Sequence, residues 1–95
     1  DILTSDKKIH DDYRIKYLKE HIDQIGKCID EGIPVIGYTS WGCIDIVSAG
    51  TSERSKRYGY IYVDADDYGQ GTWKRYKKAS FYWYKKVIES NCNVL

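Results

Sequence analysis

The chain has 95 residues, 42% of them hydrophobic and 31% charged, with a formal net charge of +1. That length suits one small domain or one piece of a larger one, and the near-neutral balance gives no general electrostatic reason to seek nucleic acid or an anionic membrane. Apolar runs end within a few residues, as at Ile33 to Ile36 with Pro34 inside, so no segment spans a bilayer. The opening "DILTSDKKIHDDYR" lacks the basic-then-apolar order of a signal peptide, and the expected location is cytoplasmic.

The first predicted element is an amphipathic helix from Asp11 to Glu31, where Ile15, Leu18, Ile22, Ile25 and Ile29 recur at steps of three and four. Asp11 or Asp12 can accept hydrogen bonds from its first turn, and Gly32 stands where a left-handed cap ends it. Pro34 cannot continue a helix, and "VIGYTSW" follows as a short β-branched and aromatic run. Its weak polar alternation predicts a strand buried on both faces, as in a parallel sheet wrapped by helices. An irregular excursion leads to a second, shorter strand at "YGYIYVD", and "ADDYGQGTW" then places Asp and Gly in turn positions, Asp66 and Asp67 among them. The last predicted element, "KRYKKASFYWYKKVIESN", sets Phe81, Tyr84, Val87 and Ile88 on one helical side. Its lysines, Lys77, Lys78, Lys85 and Lys86, read as long solvated stems beside that stripe; a nucleic-acid role is the competing reading of the same basic-aromatic mix. The order predicts an α/β chain, a βα-barrel or doubly wound sheet cut out mid-pattern, because one parallel strand needs neighbours on both edges.

Cys28, Cys43 and Cys92 are too few and too irregularly spaced for a disulfide scaffold, and read as reduced thiols. Neither His10 nor His21 shows metal-ligand spacing, so no metal or cofactor is expected. Trp41, at the end of the predicted strand, is equally readable as a packing residue or as a flat face for the C–H groups of a sugar. Ser48, Lys56 and Tyr58 together offer an ammonium and hydroxyl donors, the set a phosphate needs; singly, each reads as a solvated loop side chain. Asp45, Glu53, Asp64, Asp66 and Asp67 have no distinguishing environment, and no nucleophile elbow, P-loop or dinucleotide fingerprint occurs.

Four blocks in order, "DDYRIKYLKEHI", "GYTSWGCIDIVSA", "SKRYGYIYVD" and "KKASFYWYKKVIESN", resemble the C-terminal end of family 1 glycoside hydrolases, and within them the bacterial 6-phospho-β-glucosidases. The resemblance implies that residues 1–95 form the last part of one (β/α)8 TIM barrel. In that frame the first helix is helix 7, "VIGYTSW" strand 8 and the last helix helix 8, with "DILTSDKKIH" as the loop after strand 7. It further implies that Trp41 lines the sugar subsite and that Ser48, Lys56 and Tyr58 bind the 6-phosphate. Relatives acting on unphosphorylated sugars carry Glu at the Ser48 position, where a carboxylate repels phosphate. Ala49 stands where phospho-β-galactosidases carry Trp, which favours a gluco-configured substrate. The family's two catalytic carboxylates lie in "NEP" and "ENG" blocks, neither of which occurs in these residues. No catalytic residue is therefore expected here; both blocks are expected upstream.

The resulting expectation is part of a retaining hydrolase of phosphorylated β-glucosides such as cellobiose 6-phosphate, without nucleic-acid or membrane partners. By itself such a segment is expected to be inactive, and to self-associate or pair with the rest of the barrel. The alternatives are a small independent module for phosphorylated ligands or nucleic acid, a 6-phospho-β-galactosidase relative, and a purely structural piece.

Overall fold

The computed structural model describes residues 1–48 and 50–93. Ala49, and with it the reading of sugar configuration, lies outside the described residues, as do Val94 and Leu95.

Helix α1 spans Asp12–Asp30, within one residue of expectation at each end. Gly32 adopts φ 86°, its N–H donates to Ile29 O at 2.9 Å, and Ile33 N–H donates to Cys28 O at 3.0 Å. These paired bonds satisfy carbonyls that the helix end would leave bare, and glycine takes the left-handed position without a Cβ clash. The N-terminal expectation is corrected. Asp11 is the N-cap residue of α1, but its side chain accepts no backbone N–H of that turn.

The strand expected over "VIGYTSW" forms no ladder; residues 33–40 pair with nothing as a strand. A strand exists through hydrogen bonds to a neighbour, and a parallel neighbour for this segment is not among these residues. The sheet that does form is an antiparallel pair, β1 (Ile61–Val63) and β2 (Arg75–Lys77), in register at Tyr62 opposite Tyr76. β1 is the expected shorter strand, whereas β2 falls where helix was expected from Lys74 onward. The hairpin turn returns the chain beside β1, and ladder bonds outweigh helical periodicity over three residues. An isolated parallel bridge joins Ile44 to Ile61. Gly59 makes that approach possible, since a Cβ there would lie 2.5 Å from the Ile44 carbonyl carbon.

Helix α2, Ala79–Glu89, packs on α1 and β2. Its first turn is capped from elsewhere in the chain: Ala79 N–H donates to Ile9 O at 2.9 Å and Ser80 N–H to Asp11 Oδ1 at 2.8 Å. Asp11 thus caps α2 across space, placing a negative group at its positive end. Ile9, Leu18, Tyr60, Tyr62, Val63, Ala65 and Val87 form the buried apolar core.

The molecule is a slab of 48 × 31 × 18 Å with a radius of gyration of 15.2 Å. A compact chain of this length has a radius near about 12 Å. The excess reflects an uncovered face: Ile22, Ile25, Ile29, Val35, Ile36 and Ile88 line an open apolar trough, and Ile29, Ile36 and Ile88 are exposed. Only Leu18 of the α1 stripe is fully buried; Ile15, Ile22 and Ile25 are half-buried.

Candidate functional site

A cleft of about 860 Å³ opens between the first half of α1 and the chain from Tyr38 to Tyr60. All four side chains singled out from sequence, Trp41, Ser48, Lys56 and Tyr58, line it. Helix α1 contributes Tyr13, Arg14, Tyr17 and His21 to the opposite wall, residues of its polar side that a stripe analysis assigns to solvent. No Asp or Glu lines the cleft among the described residues.

Trp41 is 60% exposed, so its ring is available rather than packed. Its neighbour Ser40 is held by the Tyr60 hydroxyl at 2.5 Å, and the Tyr60 ring stacks on Tyr84 at 5.2 Å. Burial pushes the Tyr60 phenol above its ordinary pKa, with the Ser40 bond opposing, so it remains a donor at neutral pH. Ser48 is 4% exposed, which corrects its reading as a solvated loop residue. Ser48 N–H donates to Glu53 O at 2.9 Å, and Ser52 N–H donates back to Ser48 O at 2.8 Å. This closed turn brings Ser48 Oγ to 3.3 Å from the Tyr58 hydroxyl. Lys56 is exposed, at the end of a 3₁₀ turn, Arg54–Lys56.

Beneath the cleft lies an ionic layer that periodicity and spacing did not show. Lys78, expected among the solvated stems, is 0% exposed. Its Nζ contacts the Asp1 carboxylate and, at 2.7 Å, Asp45 Oδ1. Asp45, which had no distinguishing environment in sequence, also accepts from Gly59 N–H at 3.1 Å and from Arg57 at 3.2 Å. Arg57 sits at φ 48° and further donates to Val63 O at 2.7 Å and Ala65 O at 3.1 Å, while its guanidinium lies 4.0 Å from the Tyr62 ring centroid. Arg14 is saturated by Asp1, Asp11, the Tyr13 hydroxyl and Arg57 O. Burial pushes Lys78 down to about 8, against the hydrogen bond and charge of Asp45. Adjacency to Lys56 was the only sequence clue to Arg57; the partners of Asp45 and Lys78 lie too far along the chain for spacing to show.

The partnering decides which cation can serve a ligand. Arg14 and Arg57 border the cleft but are committed to carboxylates and carbonyls, whereas Lys56 makes no ion pair among the described residues. His21 donates from Nδ1 to Tyr17 O at 2.8 Å, which fixes the ring on the cleft wall. An aromatic wall, paired hydroxyls and one unpaired ammonium suit a polyhydroxylated ligand bearing an anionic group. Among the described residues no group of three or more His, Cys, Asp or Glu can hold a metal ion, and Cys28, Cys43 and Cys92 are free thiols. Nor is any described helix long and apolar enough to cross a membrane.

The cleft is walled by aromatic and hydroxyl side chains, a lining whose chemistry matches that of polyhydroxylated ligands. Residues 2–93 match the family model described as Glycosyl hydrolase family 1, and the chain belongs to that family. It is 59% identical over 91 residues to a 6-phospho-beta-glucosidase of Escherichia coli, covering 96% of this chain and 19% of that protein. It is 54% identical over 95 residues to a 6-phospho-beta-glucosidase of Dickeya chrysanthemi, covering 100% of this chain and 20% of that one. Among solved structures, the family 1 β-glucosidase of Thermotoga maritima superposes with a TM-score of 0.83 at 42% identity, over 96% of this chain and 19% of that one. The chain thus spans about a fifth of the length of these relatives.

Proposed function

We propose that residues 1–95 form the C-terminal segment, helix 7, strand 8 and helix 8, of a single (β/α)8 barrel, and that the barrel is a cytoplasmic retaining 6-phospho-β-glucosidase. Within it this segment selects the substrate. Trp41 faces the glucose ring, Lys56 supplies charge to the 6-phosphate, and Ser48 and Tyr58 supply hydroxyl donors. The acid and the nucleophile that flank the scissile bond come from outside these residues. The observation carrying the reading is the convergence of Trp41, Ser48, Lys56 and Tyr58 on one cleft without a carboxylate, with Ser48 Oγ 3.3 Å from the Tyr58 hydroxyl.

The electrostatics support phosphate over a neutral sugar. A phosphate monoester carries about −1.5 to −2 charges at pH 7, so an unpaired ammonium attracts it while a carboxylate at the Ser48 position repels it. Names borne by the relatives from Escherichia coli and Dickeya chrysanthemi point to the same substrate class. Sugar phosphates are held inside cells by their charge, and three free thiols suit a reducing compartment. The open apolar trough of α1 and residues 35–36 supplies the surface on which neighbouring barrel elements pack.

The test is an assay of the complete protein on nitrophenyl β-glucoside with and without a 6-phosphate. Strong preference for the phosphorylated substrate is expected, and equal rates overturn the assignment of Ser48, Lys56 and Tyr58. The isolated chain is expected to hydrolyse neither and to self-associate in sedimentation; turnover, or a stable monodisperse monomer, contradicts these expectations.

A second reading, a polyanion-binding module, has one observation in its favour. Lys7, Lys8, His10, Arg75, Lys77 and Lys86 line a second trough beside Tyr82 and Trp83. Salt-sensitive oligonucleotide binding by the isolated chain supports it, and absence of binding removes it.

A further inference from the structure

The turn that carries Lys56 is short and exposed, yet it is attached on both flanks. Its own geometry supplies little: one backbone bond, Arg57 N–H to Arg54 O at 3.2 Å, closes the 3₁₀ turn. On the C-terminal flank Arg57 is anchored in the ionic layer through Asp45, Val63 O and Ala65 O. The N-terminal flank is attached to the tip of the hairpin between β1 and β2. Asp67 grips Ser55 with both oxygens, Oδ1 accepting Ser55 N–H at 2.8 Å and Oδ2 accepting Ser55 Oγ–H at 3.0 Å. Beside it the Arg54 guanidinium lies 4.8 Å from the Trp73 ring centroid.

The hairpin tip is built to act as a fixed platform. Asp66 Oδ1 accepts Tyr68 N–H at 2.9 Å and Gln70 N–H at 2.8 Å, and Asp64 Oδ2 accepts the Thr72 hydroxyl at 2.6 Å. Gly71 lies so close to Asp64 that a Cβ would stand 2.2 Å from its carbonyl oxygen. Trp73 is held at φ 61°, an uncommon conformation for a bulky residue, which places its ring beneath Arg54.

We propose that Asp67 is a positioning residue: by clamping Ser55 it fixes the direction of the adjacent Lys56 and so sets the discrimination between phosphorylated and unphosphorylated glucosides. This rests on the phosphate role of Lys56 given above. Asp67 does not line the cleft and touches no substrate on this account. Its effect is to restrict a long flexible ammonium side chain before the ligand arrives, so that less freedom is lost on binding.

The experiment measures kcat and KM of the complete protein for nitrophenyl β-glucoside 6-phosphate and for the unphosphorylated glucoside, in the parent and in Asp67→Ala, Asp67→Asn and Lys56→Ala. Loss of the bidentate clamp in Asp67→Ala is expected to raise KM for the phosphorylated substrate about three- to tenfold, with kcat within about twofold and the unphosphorylated reaction unchanged. Asp67→Asn keeps an acceptor for Ser55 N–H and a donor for Ser55 Oγ, and is expected to recover most of the loss. Should Asp67→Ala not fold, Ser55→Ala removes one of the two bonds and is expected to raise KM about two- to threefold. If Lys56→Ala loses phosphate selectivity while Asp67→Ala and Ser55→Ala retain the parent KM, the positioning role is overturned. Equal losses on both substrates overturn it as well, because they mark general structural damage. If Lys56→Ala itself keeps the selectivity, the phosphate reading fails first.

Discussion

Lys56 and Lys78 carry the same side chain in two regions that treat it in opposite ways. Lys78 lies in the ionic layer under the cleft, 0% exposed, held between Asp1 and Asp45. Lys56 stands on an exposed turn at the cleft wall and makes no ion pair among the described residues. A buried charge is tolerated only when paired and hydrogen-bonded, and once paired its field is spent on its partners. An exposed, unpaired ammonium costs little to hold and stays available to an incoming anion. The ionic layer is thus a device for shape, and the rim, under the proposed function, is where an anion is recognised.

Breaking the layer has the largest expected effect. Asp45→Ala removes the acceptor shared by Lys78, Arg57 and Gly59 N–H, and is expected to destabilise the fold by about 3–5 kcal/mol in urea unfolding. A midpoint equal to the parent's would show that the layer is not structural. Lys56→Ala sharpens the contrast from the other side. It is expected to leave urea stability within about 0.5 kcal/mol while lowering kcat/KM of the complete protein for the phosphorylated glucoside about ten- to a hundredfold.

Gly59→Ala tests the seam between the two regions, because its Cβ would stand 2.5 Å from Ile44 C and 2.7 Å from Asp45 N. Separation of these backbones is expected to cost about 1–3 kcal/mol and to disturb the cleft, read as lower thermal stability together with weaker substrate binding. Titration of Lys78 gives the smallest effect near neutral pH, where folded and unfolded chains both keep the lysine largely protonated. Burial lowers its pKa from 10.5 to about 8, so between these values the folded chain binds fewer protons than the unfolded one. Its contribution to stability therefore grows as pH rises through that window. Side-chain NMR is expected to show one lysine titrating near pH 8, and a midpoint near 10.5 would contradict the burial.

Much of the local structure was readable in the residues themselves. The α1 stripe, its Schellman end at Gly32 and the turn at Asp66 and Asp67 depend on contacts within a few positions, which periodicity and turn chemistry encode. The four cleft residues were also singled out, but by the family resemblance: the strand-end place of Trp41 left packing equally open, and Ser48, Lys56 and Tyr58 singly read as solvated loop side chains. Spacing could not show that they meet. The closed turn from Ser48 to Glu53 and the Asp67 clamp do that, through partners up to 12 residues away.

The missing strand and the misread lysine teach the same lesson from two directions. "VIGYTSW" has the composition of a buried strand, yet residues 33–40 form no ladder, because a strand is a relation between neighbours. Lys78 has the pattern of a solvated stem and is buried, because its acids come from Asp1 and Asp45. By itself the sequence determined the helices, the family resemblance and the types of side chain offered to a ligand. Only the tertiary structure decided which charges cancel one another and which remain free. That division follows from range: propensity and capping act over one or two turns of chain, while pairing of buried charges depends on which distant residues the fold brings together.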